Sequence, residues 1–301
     1  MKILVTGGAG FIGHAIVKRF AKDHTVHILD NLSYAADLSR LAGLKYKFWK
    51  MDITEPIMLE EQYDWIIHLA AETHVDNSID DPLLFVKTNV LGTAHILEFA
   101  RTQNNLKGFL YFSTDEVFGP APIGVNYKEW DRYNSGNPYS AAKAGGEELV
   151  LAYGNTYGLP VMITHTMNAF GPTQHIEKFI PSTIQKIKNE ETVIIHSAPD
   201  KKTSGSRFYI HIDDIAEAVE FVMENGETQE KYNIVGKDET SNLEVARTIA
   251  KELDKPLLYE MVDFHSSRPG HDLRYALDGS KLEQMGWAPS KTFSERIKDL
   301  L

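Results

Sequence analysis

Four consecutive polar residues, Ser113-Thr114-Asp115-Glu116, follow the apolar and aromatic segment Phe109 to Phe112. A short apolar run with polar residues at its end is typical of a buried parallel strand, and open α/β sheets bind ligands at the carboxyl ends of such strands. Two adjacent carboxyl groups resist ionising together, so one can stay protonated as an acid while the other serves as a base. The alternative is a helix cap or a solvated loop, and other groups reaching the same edge decide between them.

A second group that could do chemistry is Tyr139-Ser-Ala-Ala-Lys143, which follows Pro138. Proline favours the first turn of a helix, and residues four apart share a helix face, so the ammonium of Lys143 is expected near the Tyr139 hydroxyl. A neighbouring cation lowers the pKa of a phenol and makes it usable as a base near neutral pH. The alternative is a structural lysine lying beside a half-buried tyrosine. Tyr46 and Lys50 have the same spacing, but four residues of a strand span roughly 13 Å, which excludes that pair.

A glycine-rich turn lies near the start of the chain, between a predicted strand at 3–5 and a predicted helix at 11–20. Backbone without side chains can approach a pyrophosphate closely, and a helix N-terminus offers free N–H groups to it. This position between strand and helix is the one that the dinucleotide fingerprint requires. The predicted pyrophosphate-binding residues are Gly7, Gly10, Phe11, Ile12 and Gly13.

An acidic residue, Asp30, ends the next predicted strand, Thr25 to Leu29. A carboxylate there can accept hydrogen bonds from both ribose hydroxyls of an adenosine and would repel a 2′-phosphate, which favours NAD over NADP. Two further predicted strands, at 46–50 and 65–69, end beside residues that the cofactor would pass over. The predicted cofactor set therefore also contains Asn31, Asp52, Ile53, Leu69, Ala70 and Ala71, with Tyr139 and Lys143 at the nicotinamide end.

These sites need a parallel sheet to bring them together, and the order of the elements predicts one. Strands and helices alternate with short connections, and Pro82 to Arg101 has the apolar spacing of a helix. This order is typical of a doubly wound α/β fold. Further helices are predicted over 213–224 and from Ser241, where Ser241 and Glu244 form a capping box.

Composition excludes several classes of protein. The 301 residues are 43% apolar, enough for a buried core, and carry a formal net charge of −11, which argues against general nucleic-acid or anionic-membrane binding. The absence of cysteine excludes disulfides and thiolate metal sites and suits a reducing cytoplasm. The charge-free span 149–176 contains proline, glycine and histidine and is not predicted to cross a membrane, and a strand at 2–5 leaves no room for a targeting peptide. None of the 12 histidines forms a paired ligand motif, so no metal is predicted.

Taken together, these motifs resemble the extended short-chain dehydrogenase/reductase superfamily, and within it the nucleotide-sugar 4,6-dehydratases of the dTDP-glucose 4,6-dehydratase kind. The matching stretches are TGGAGFIG (6–13), HLAAETHVDNSI (68–79), STDEVFG (113–119), YSAAK (139–143), NAFGPTQHIEKFIP (168–181) and RPGHDLRYALD (268–278). The glycine turn and YxxxK are general to the superfamily. The Thr-Asp-Glu segment and the last two stretches are much more specific to the dehydratases.

The resemblance implies a mechanism. Tyr139, helped by Thr114 and Lys143, would take the proton of the sugar 4-hydroxyl as C4 passes hydride to NAD⁺. Glu116 would then abstract the acidified C5 proton, and Asp115 would protonate the departing 6-hydroxyl so that water leaves. Return of the hydride to C6 completes the 4-keto-6-deoxy sugar and regenerates NAD⁺.

The resemblance also implies the layout of the chain. Residues 1–171 would form the Rossmann domain, with part of 206–240 packing back on it, and 172–205 and 241–301 would form a smaller α/β substrate domain. The implied substrate-binding residues are His74, Asn168, Glu177, Lys178, Arg207 and Arg268. The alternative for His74 is an ordinary hydrogen-bonded histidine, and the alternative for each charged residue is a surface charge. A homodimer through the helices at 82–101 and 138–157 is implied as well.

Three features of the chain depart from the pattern of the dehydratases that it resembles, two on the nucleotide side and one at the C-terminal end. Phe208 stands where relatives commonly carry an acid, the 197–206 loop is longer than usual, and the chain ends at Leu301, before a final helix that many relatives have. The nucleobase therefore stays open. Two other functions also stay open: a nucleotide-sugar 4-epimerase, which shares Tyr139, Lys143 and NAD but can dispense with both acids, and an NAD-binding regulator without catalysis.

Overall fold

The computed structural model describes residues 1–263 and 272–301. Its strands, numbered along the chain, are β1 Lys2–Thr6, β2 Thr25–Asp30, β3 Lys47–Lys50, β4 Trp65–His68, β5 Gly108–Thr114, β6 Val161–Thr166, β7 Ala169–Phe170, β8 Val193–Ser197, β9 Ser206–Arg207, β10 Ile210–His211, β11 Lys231–Ile234, β12 Thr240–Ser241 and β13 Tyr259–Asp263. Seven of them form one sheet in the order β3-β2-β1-β4-β5-β6-β11, with every neighbouring pair parallel. The predicted doubly wound α/β fold is confirmed.

Helices cover both faces of this sheet. The α-helices of the described chain are α1 Phe11–Phe20, α2 Val75–Asp80, α3 Pro82–Phe85, α4 Gly92–Arg101, α5 Pro138–Tyr157, α6 Phe179–Lys188, α7 Ile212–Asn225, α8 Asn242–Glu252, α9 Ser280–Met285 and α10 Phe293–Arg296. Side chains of a strand point alternately to the two faces, so Ile3 and Val5 join the core under α1 and α7, and Leu4 joins the core under α4 and α5. Burial on both faces explains the continuous apolar runs of the strands.

The helix predicted over 82–101 is continuous but not regular. α3 leads into a π-helical stretch, Val86–Leu91, and then into α4. Within that stretch the buried Asn89 accepts a hydrogen bond from the backbone N–H of Glu72 at 2.9 Å and donates one to its carbonyl at 3.0 Å. The π-helical stretch therefore holds the loop after β4 in place through the two hydrogen bonds of Asn89.

The later part of the chain contains a separate hydrophobic cluster. β8 pairs in parallel with β13, and Val193, Ile184 of α6 and Ile249 of α8 are buried together. β9 pairs antiparallel with β12, and β10 pairs in parallel with β7. The domain boundaries given above stay a prediction.

The sheet places polar residues at one edge. β1 lies between β2 and β4. The order of the parallel strands therefore reverses at this point: β2 and β3 follow on one side of β1, and β4, β5 and β6 follow on the other. Doubly wound sheets bind ligands at such a reversal. Strand ends that meet at this edge include Thr6, Asp30, His68, Thr114 and Thr166. Among residues 1–263 and 272–301, no helix combines the length and apolar character needed to cross a bilayer.

Candidate active site

A single long cleft follows the carboxyl edge of the sheet. It is lined by all five predicted catalytic residues: Thr114, Asp115, Glu116, Tyr139 and Lys143. It is also lined by these predicted cofactor residues: Gly7, Gly10, Phe11, Ile12, Gly13, Asp30, Asn31, Ile53, Leu69, Ala70 and Ala71. The fold therefore brings the two sets into one cavity.

The glycine turn at one end of the cleft can only be built without side chains. Gly7 has φ +72°, and a Cβ there would lie 2.8 Å from the backbone nitrogen of Ala70. A Cβ on Gly13 would lie 2.1 Å from the carbonyl oxygen of Gly7. α1 begins behind Gly10 with no side chain capping it, so its first N–H groups stay available for an anion. This cradle fits the pyrophosphate of a dinucleotide.

Asp30 lies where an adenosine ribose would be held. It is 6% exposed, one carboxylate oxygen accepts from the backbone N–H of Ala9 at 3.0 Å, and the other accepts from Leu32 at 2.8 Å. Both oxygens keep a further lone pair for a ribose hydroxyl. Asp52 does not line the cleft; it accepts a hydrogen bond from the side chain of Asn31 at 3.2 Å and so supports a residue that does.

Strand β5 ends in an acidic turn. Thr114 caps the short 3₁₀ turn Asp115–Phe118 and donates from its hydroxyl to Oδ1 of Asp115 at 2.9 Å. Asp115 is 3% exposed, and its Oδ2 is buried with no hydrogen-bond partner among the described residues. A buried unpaired carboxylate oxygen is costly, which favours the protonated acid or a ligand there.

Burial shapes the ionisation of the two acids. Desolvation raises the pKa of Asp115 to about 6, against the opposing field of Arg207. Desolvation and the neighbouring Asp115 raise the pKa of Glu116 to about 7, while Asn137 and Arg207 act in the opposite direction. Both carboxyl groups therefore have pKa values close enough to neutral pH to gain and lose protons there.

Tyr139 and Lys143 occupy the first turns of α5, as predicted. Tyr139 is 8% exposed, and burial followed by the charge of Glu116 raises the pKa of its hydroxyl, with a hydrogen bond to Thr114 opposing this. The expected lowering of that pKa by Lys143 is not what the structure shows. The Lys143 ammonium donates to the carbonyl of Phe112 at 2.6 Å and lies 4.2 Å from the Tyr111 ring centroid.

Lys143 is itself perturbed, because burial lowers its pKa to about 7 while Glu147, one turn further along α5, acts to raise it. The carboxylate of Glu147 is fully buried and contacts Ser113, His165 and Lys231. Although burial acts to raise it, the contacts of the carboxylate with His165, Lys231 and the Ser113 hydroxyl hold the pKa of Glu147 at about 2. A buried ion pair, Glu147 with Lys231, thus lies beside Ser113 of β5.

The predicted substrate residues divide. Asn168, Glu177 and Lys178 line the cleft, and the Oδ1 of Asn168 is buried with no hydrogen-bond partner among the described residues. His74 caps the start of α2 and does not line the cleft. Arg268 lies outside the described residues.

Arg207 also lies off the cleft lining. Its guanidinium donates to the carbonyls of Asp272 and Leu273, at 2.6 Å each, and stacks 4.5 Å from the centroid of the Tyr275 ring. Its charge nevertheless reaches the acidic pair, as the pKa of Asp115 shows. Phe208 is partly buried and packs against the main core.

Three residues of this region were missed by sequence reasoning. Asn137 donates from Nδ2 to Oε2 of Glu116 at 3.2 Å, Arg40 reaches across the cofactor end, and burial and Glu116 raise the pKa of Tyr275. The Asn-Pro sequence before α5 signals a helix cap, which could have directed attention to Asn137. Nothing in the sequence around Arg40 or Tyr275 indicates which part of the fold they meet.

Among residues 1–263 and 272–301, no group of three or more acidic or histidine side chains is arranged to hold a metal ion.

Comparison with known proteins adds a second line of support. A family model described as GDP-mannose 4,6 dehydratase matches residues 4–300. The dTDP-glucose 4,6-dehydratase of Salmonella typhimurium is 39% identical to the chain, over 99% of the chain and 91% of that protein.

Solved structures give the same picture. A dTDP-glucose 4,6-dehydratase from Streptomyces venezuelae, crystallised with NAD bound, superposes with a TM-score of 0.90 at 34% identity and covers 99% of this chain and 94% of its own. A Thermus thermophilus UDP-glucose 4-epimerase in complex with NAD superposes with a TM-score of 0.88 at 27% identity, covering 99% and 97%. The fold is thus common to both activities, and sequence identity is higher to the dehydratases.

Proposed function

The chain belongs to the GDP-mannose 4,6 dehydratase family, and from this we propose that it converts dTDP-glucose to the dTDP-4-keto-6-deoxyhexose and water. Its class is that of an NAD-dependent nucleotide-sugar 4,6-dehydratase, a hydro-lyase. The single observation that carries the proposal is the acidic pair, a buried Asp115 beside a partly buried Glu116, in the same cleft as Tyr139 and Lys143. Oxidation of a hydroxyl alone needs no such pair, whereas elimination of water needs both an acid and a base.

The residues of the cleft fit NAD. The side-chain-free cradle at Gly7 and Gly13 suits the pyrophosphate, and Asp30 suits an unphosphorylated adenosine ribose. When bound, NAD⁺ supplies the acceptor for the C4 hydride of the sugar and stores that hydride until it returns to C6. Residues from both ends of the cleft, Asn31 and Lys143 among them, would hold it in place for the whole cycle.

Tyr139 is the proposed base for the sugar 4-hydroxyl. Burial raises its pKa, so it holds its own proton until a cation and a hydroxyl donor stabilise the phenolate. Thr114 is hydrogen-bonded to it, and Lys143 lies on the same helix face one turn away. Lys143 is held by Phe112 and Tyr111, which fixes the position of its charge rather than leaving it to swing in solvent.

The elimination step is assigned to the acidic pair. Glu116 takes the C5 proton, which the adjacent 4-ketone has made acidic, and the C5=C6 double bond forms as the C6–oxygen bond breaks. Asp115 gives its proton to the leaving hydroxyl, so the atoms balance as one water. The Oδ2 of Asp115 is buried with no partner within the described part of the chain, and burial raises the pKa of this carboxyl, so Asp115 can hold a proton for the leaving hydroxyl.

Substrate recognition is proposed for the opposite wall. Asn168, Glu177 and Lys178 line the cleft there, and a cation is needed for a diphosphate in a chain of net charge −11. Arg207 is proposed to act indirectly, by bracing residues 272–275 and by its field on Asp115. Arg268 keeps its predicted role in binding the nucleotide.

The alternative function is 4-epimerisation, since an epimerase shares this fold. The test is to incubate purified protein separately with dTDP-, UDP-, GDP- and CDP-glucose and to weigh the products by mass spectrometry. Dehydration lowers the mass of the nucleotide sugar by one water, with dTDP-glucose expected to react fastest. A product of unchanged mass would establish the epimerase instead, and no conversion of any hexose would favour the non-catalytic regulator.

We also propose a homodimer. The helical segment from α2 to the π-helical stretch exposes several large apolar side chains: Ile79 41%, Leu83 75%, Leu84 41%, Val86 49% and Leu91 45%. Such a patch on a helix is typical of a contact with another chain. The segment packs beside α5, so both helices named by the resemblance would take part. A cytoplasmic location is proposed because the chain contains no cysteine.

A further inference from the structure

The helix that carries Tyr139 begins at a residue that also touches the acidic pair. Asn137 is the N-cap of α5, and its side-chain Oδ1 accepts a hydrogen bond from the backbone N–H of Ser140 at 2.8 Å. Ser140 returns the contact, because its hydroxyl lies 3.3 Å from the backbone nitrogen of Asn137 as acceptor. This reciprocal capping box fixes Asn137 in one position.

The cap decides which end of the amide meets Glu116. Since Oδ1 is committed to a backbone N–H, the opposite end of the amide, the NH₂ group, is directed at Oε2 of Glu116, 3.2 Å away. An NH₂ group donates hydrogen bonds and cannot accept one. It therefore stabilises the ionised carboxylate and offers nothing to the proton of a neutral carboxylic acid.

Asp115 has different surroundings. Burial raises the pKa of its carboxyl, while the Thr114 hydroxyl, which donates to Oδ1, and the backbone N–H groups of Asp115 and Glu116 oppose this rise. Its Oδ2 has no hydrogen-bond partner within the described ranges. The donors to Asp115 therefore come from the end of β5 and its own turn, whereas Asn137 brings a donor to Glu116 from the start of α5.

Other charged and titratable groups also act on Glu116, and they come from several elements packed against it. They are Asp115 on the same turn, Tyr139 on α5, Lys178 before α6, Arg207 on β9 and Tyr275. Asn137 differs from these groups because its side chain does not titrate and carries no charge at any pH, so its effect on Glu116 is that of a local hydrogen bond.

We propose that Asn137 is a positioning residue that prepares Glu116 to act as the base of the elimination step, by favouring its ionised form and fixing the orientation of its carboxylate. The inference rests on the proposed function, in which Glu116 takes the C5 proton. Asn137 would not touch the reacting atoms; it would act through Glu116. The same side chain would couple the start of the Tyr139 helix to the elimination site.

Two substitutions separate this role from helix capping. Serine and aspartate are both good N-cap residues, so Asn137→Ser and Asn137→Asp keep the cap of α5. Serine is too short to replace the donor to Glu116, and aspartate places a second carboxylate against it. Equal melting temperatures of the two variants and the original protein, measured with NAD present, would show that the cap is retained.

The measurement is the pH profile of single-turnover product formation from dTDP-glucose. The original protein is expected to lose elimination as the pH falls, with a limb near pH 7, because Glu116 must be ionised and burial raises its pKa to about 7. Asn137→Ser should move this acid limb to a higher pH by about one unit. Below the limb the rate should therefore be about tenfold lower than in the original protein, and at high pH the two rates should be equal. Asn137→Asp should move the acid limb further.

Two results would overturn the proposal. One is an acid limb of the pH profile at the same pH in the original protein and in both Asn137 variants. The other is a rate that falls by the same factor at every pH, because a purely structural residue would behave in that way. Glu116→Gln separates this failure from a failure of the proposed function. If Glu116→Gln still exchanges the C5 proton with deuterated solvent, Glu116 is not the base and the assignment of function to the pair is wrong. If that exchange is lost while the Asn137 limbs coincide, only the role of Asn137 is wrong.

Discussion

The guanidinium of Arg40 joins two segments that face each other across the cofactor end of the cleft. Its Nη2 donates to the carbonyl oxygen of Thr173 at 3.0 Å, and its Nη1 donates to the carbonyl of Ala35 at 2.9 Å and to that of Ala9 at 3.3 Å. Tyr34 meets His175 edge to face beside this contact. The segments 33–40 and 174–178 both line the cleft, so this contact closes it over the place where a dinucleotide would lie.

Arg40→Ala is therefore expected to weaken NAD retention by about tenfold, because it removes charge-assisted hydrogen bonds that hold the two segments together. The measurement is the rate of NAD release after dilution and the NAD content of the purified protein. Arg247→Ala is the control, since Arg247 is exposed, pairs with Glu244 of its own helix and does not line the cleft. Release at the original rate from Arg40→Ala would show that the contact does not retain the cofactor.

Tyr139→Phe should stop the first oxidation. The hydroxyl is buried beside Thr114 in the cleft, and loss of a positioned general base costs about a thousandfold in rate. The readout is the absorbance of reduced nicotinamide after addition of dTDP-glucose. Tyr153→Phe, on the same helix but hydrogen-bonded to Glu98 at the surface, should react normally. A Tyr139→Phe variant that still reduces NAD would remove Tyr139 from the mechanism.

Replacing both acids, Asp115→Asn with Glu116→Gln, should leave oxidation at C4 detectable and abolish the loss of water. The amides keep the shape of the site but can neither take the C5 proton nor protonate the leaving hydroxyl. Reduced nicotinamide should accumulate while mass spectrometry finds no dehydrated product. The matched control is the exposed pair Glu190→Gln with Glu191→Gln. Normal product release from the first double variant would contradict the roles assigned to the pair.

Glu147→Gln should lower the free energy of unfolding by about 3 kcal/mol near pH 7, because it leaves the buried Lys231 without its counter-ion. The folded-state pKa of Glu147 is depressed from 4.5 to about 2. This stabilisation is thus present above pH 4.5 and disappears as the pH falls toward 2.

Melting curves of the Glu147→Gln variant and the original protein should therefore differ most near neutrality and converge in acid. The exposed neighbour Glu148→Gln should change stability by no more than about 0.5 kcal/mol. A difference between Glu147→Gln and the original protein that does not depend on pH would mean that the charge of Glu147 is not what stabilises the fold.

Leu83→Glu should convert the proposed dimer to a monomer. Leu83 is 75% exposed within an apolar helical patch, and a carboxylate there would have to be desolvated at the contact. Sedimentation velocity measures the result. Ile123→Glu is the control, since Ile123 is 94% exposed in a loop elsewhere on the surface. A monomeric original protein, or a dimeric Leu83→Glu variant, would end this proposal.

Much of the site could be predicted because its residues are local in sequence. The glycine turn, the Thr114-Asp115-Glu116 segment and the Tyr139 to Lys143 spacing each depend on one strand end or one helix start. Parallel strands carry their ends to one edge, which makes it predictable that these segments meet. The cleft contains all three.

Predictions of individual contacts were less successful where they depended on distant partners. Helical spacing places Lys143 near Tyr139, but spacing does not show that the carbonyl of Phe112 on β5 would take the ammonium. Arg207 was predicted to reach the substrate, yet its donors are used by the carbonyls of residues 272 and 273, more than sixty positions away. A single charged residue has no periodicity from which such a partner could be inferred.

The sequence by itself determined the order of the strands and helices, the chemistry offered at their ends, and the preference for an unphosphorylated adenosine ribose, because hydrophobic period, glycine placement and residue type act locally. Only the tertiary structure decided that Asn137 faces Glu116 with its NH₂ group, that Arg40 spans the cofactor cleft, and that Glu147 balances a buried lysine. These relations arise from desolvation and close packing between segments far apart in the chain. Both depend on which atoms surround a side chain, and that is not known until the fold has brought the segments together.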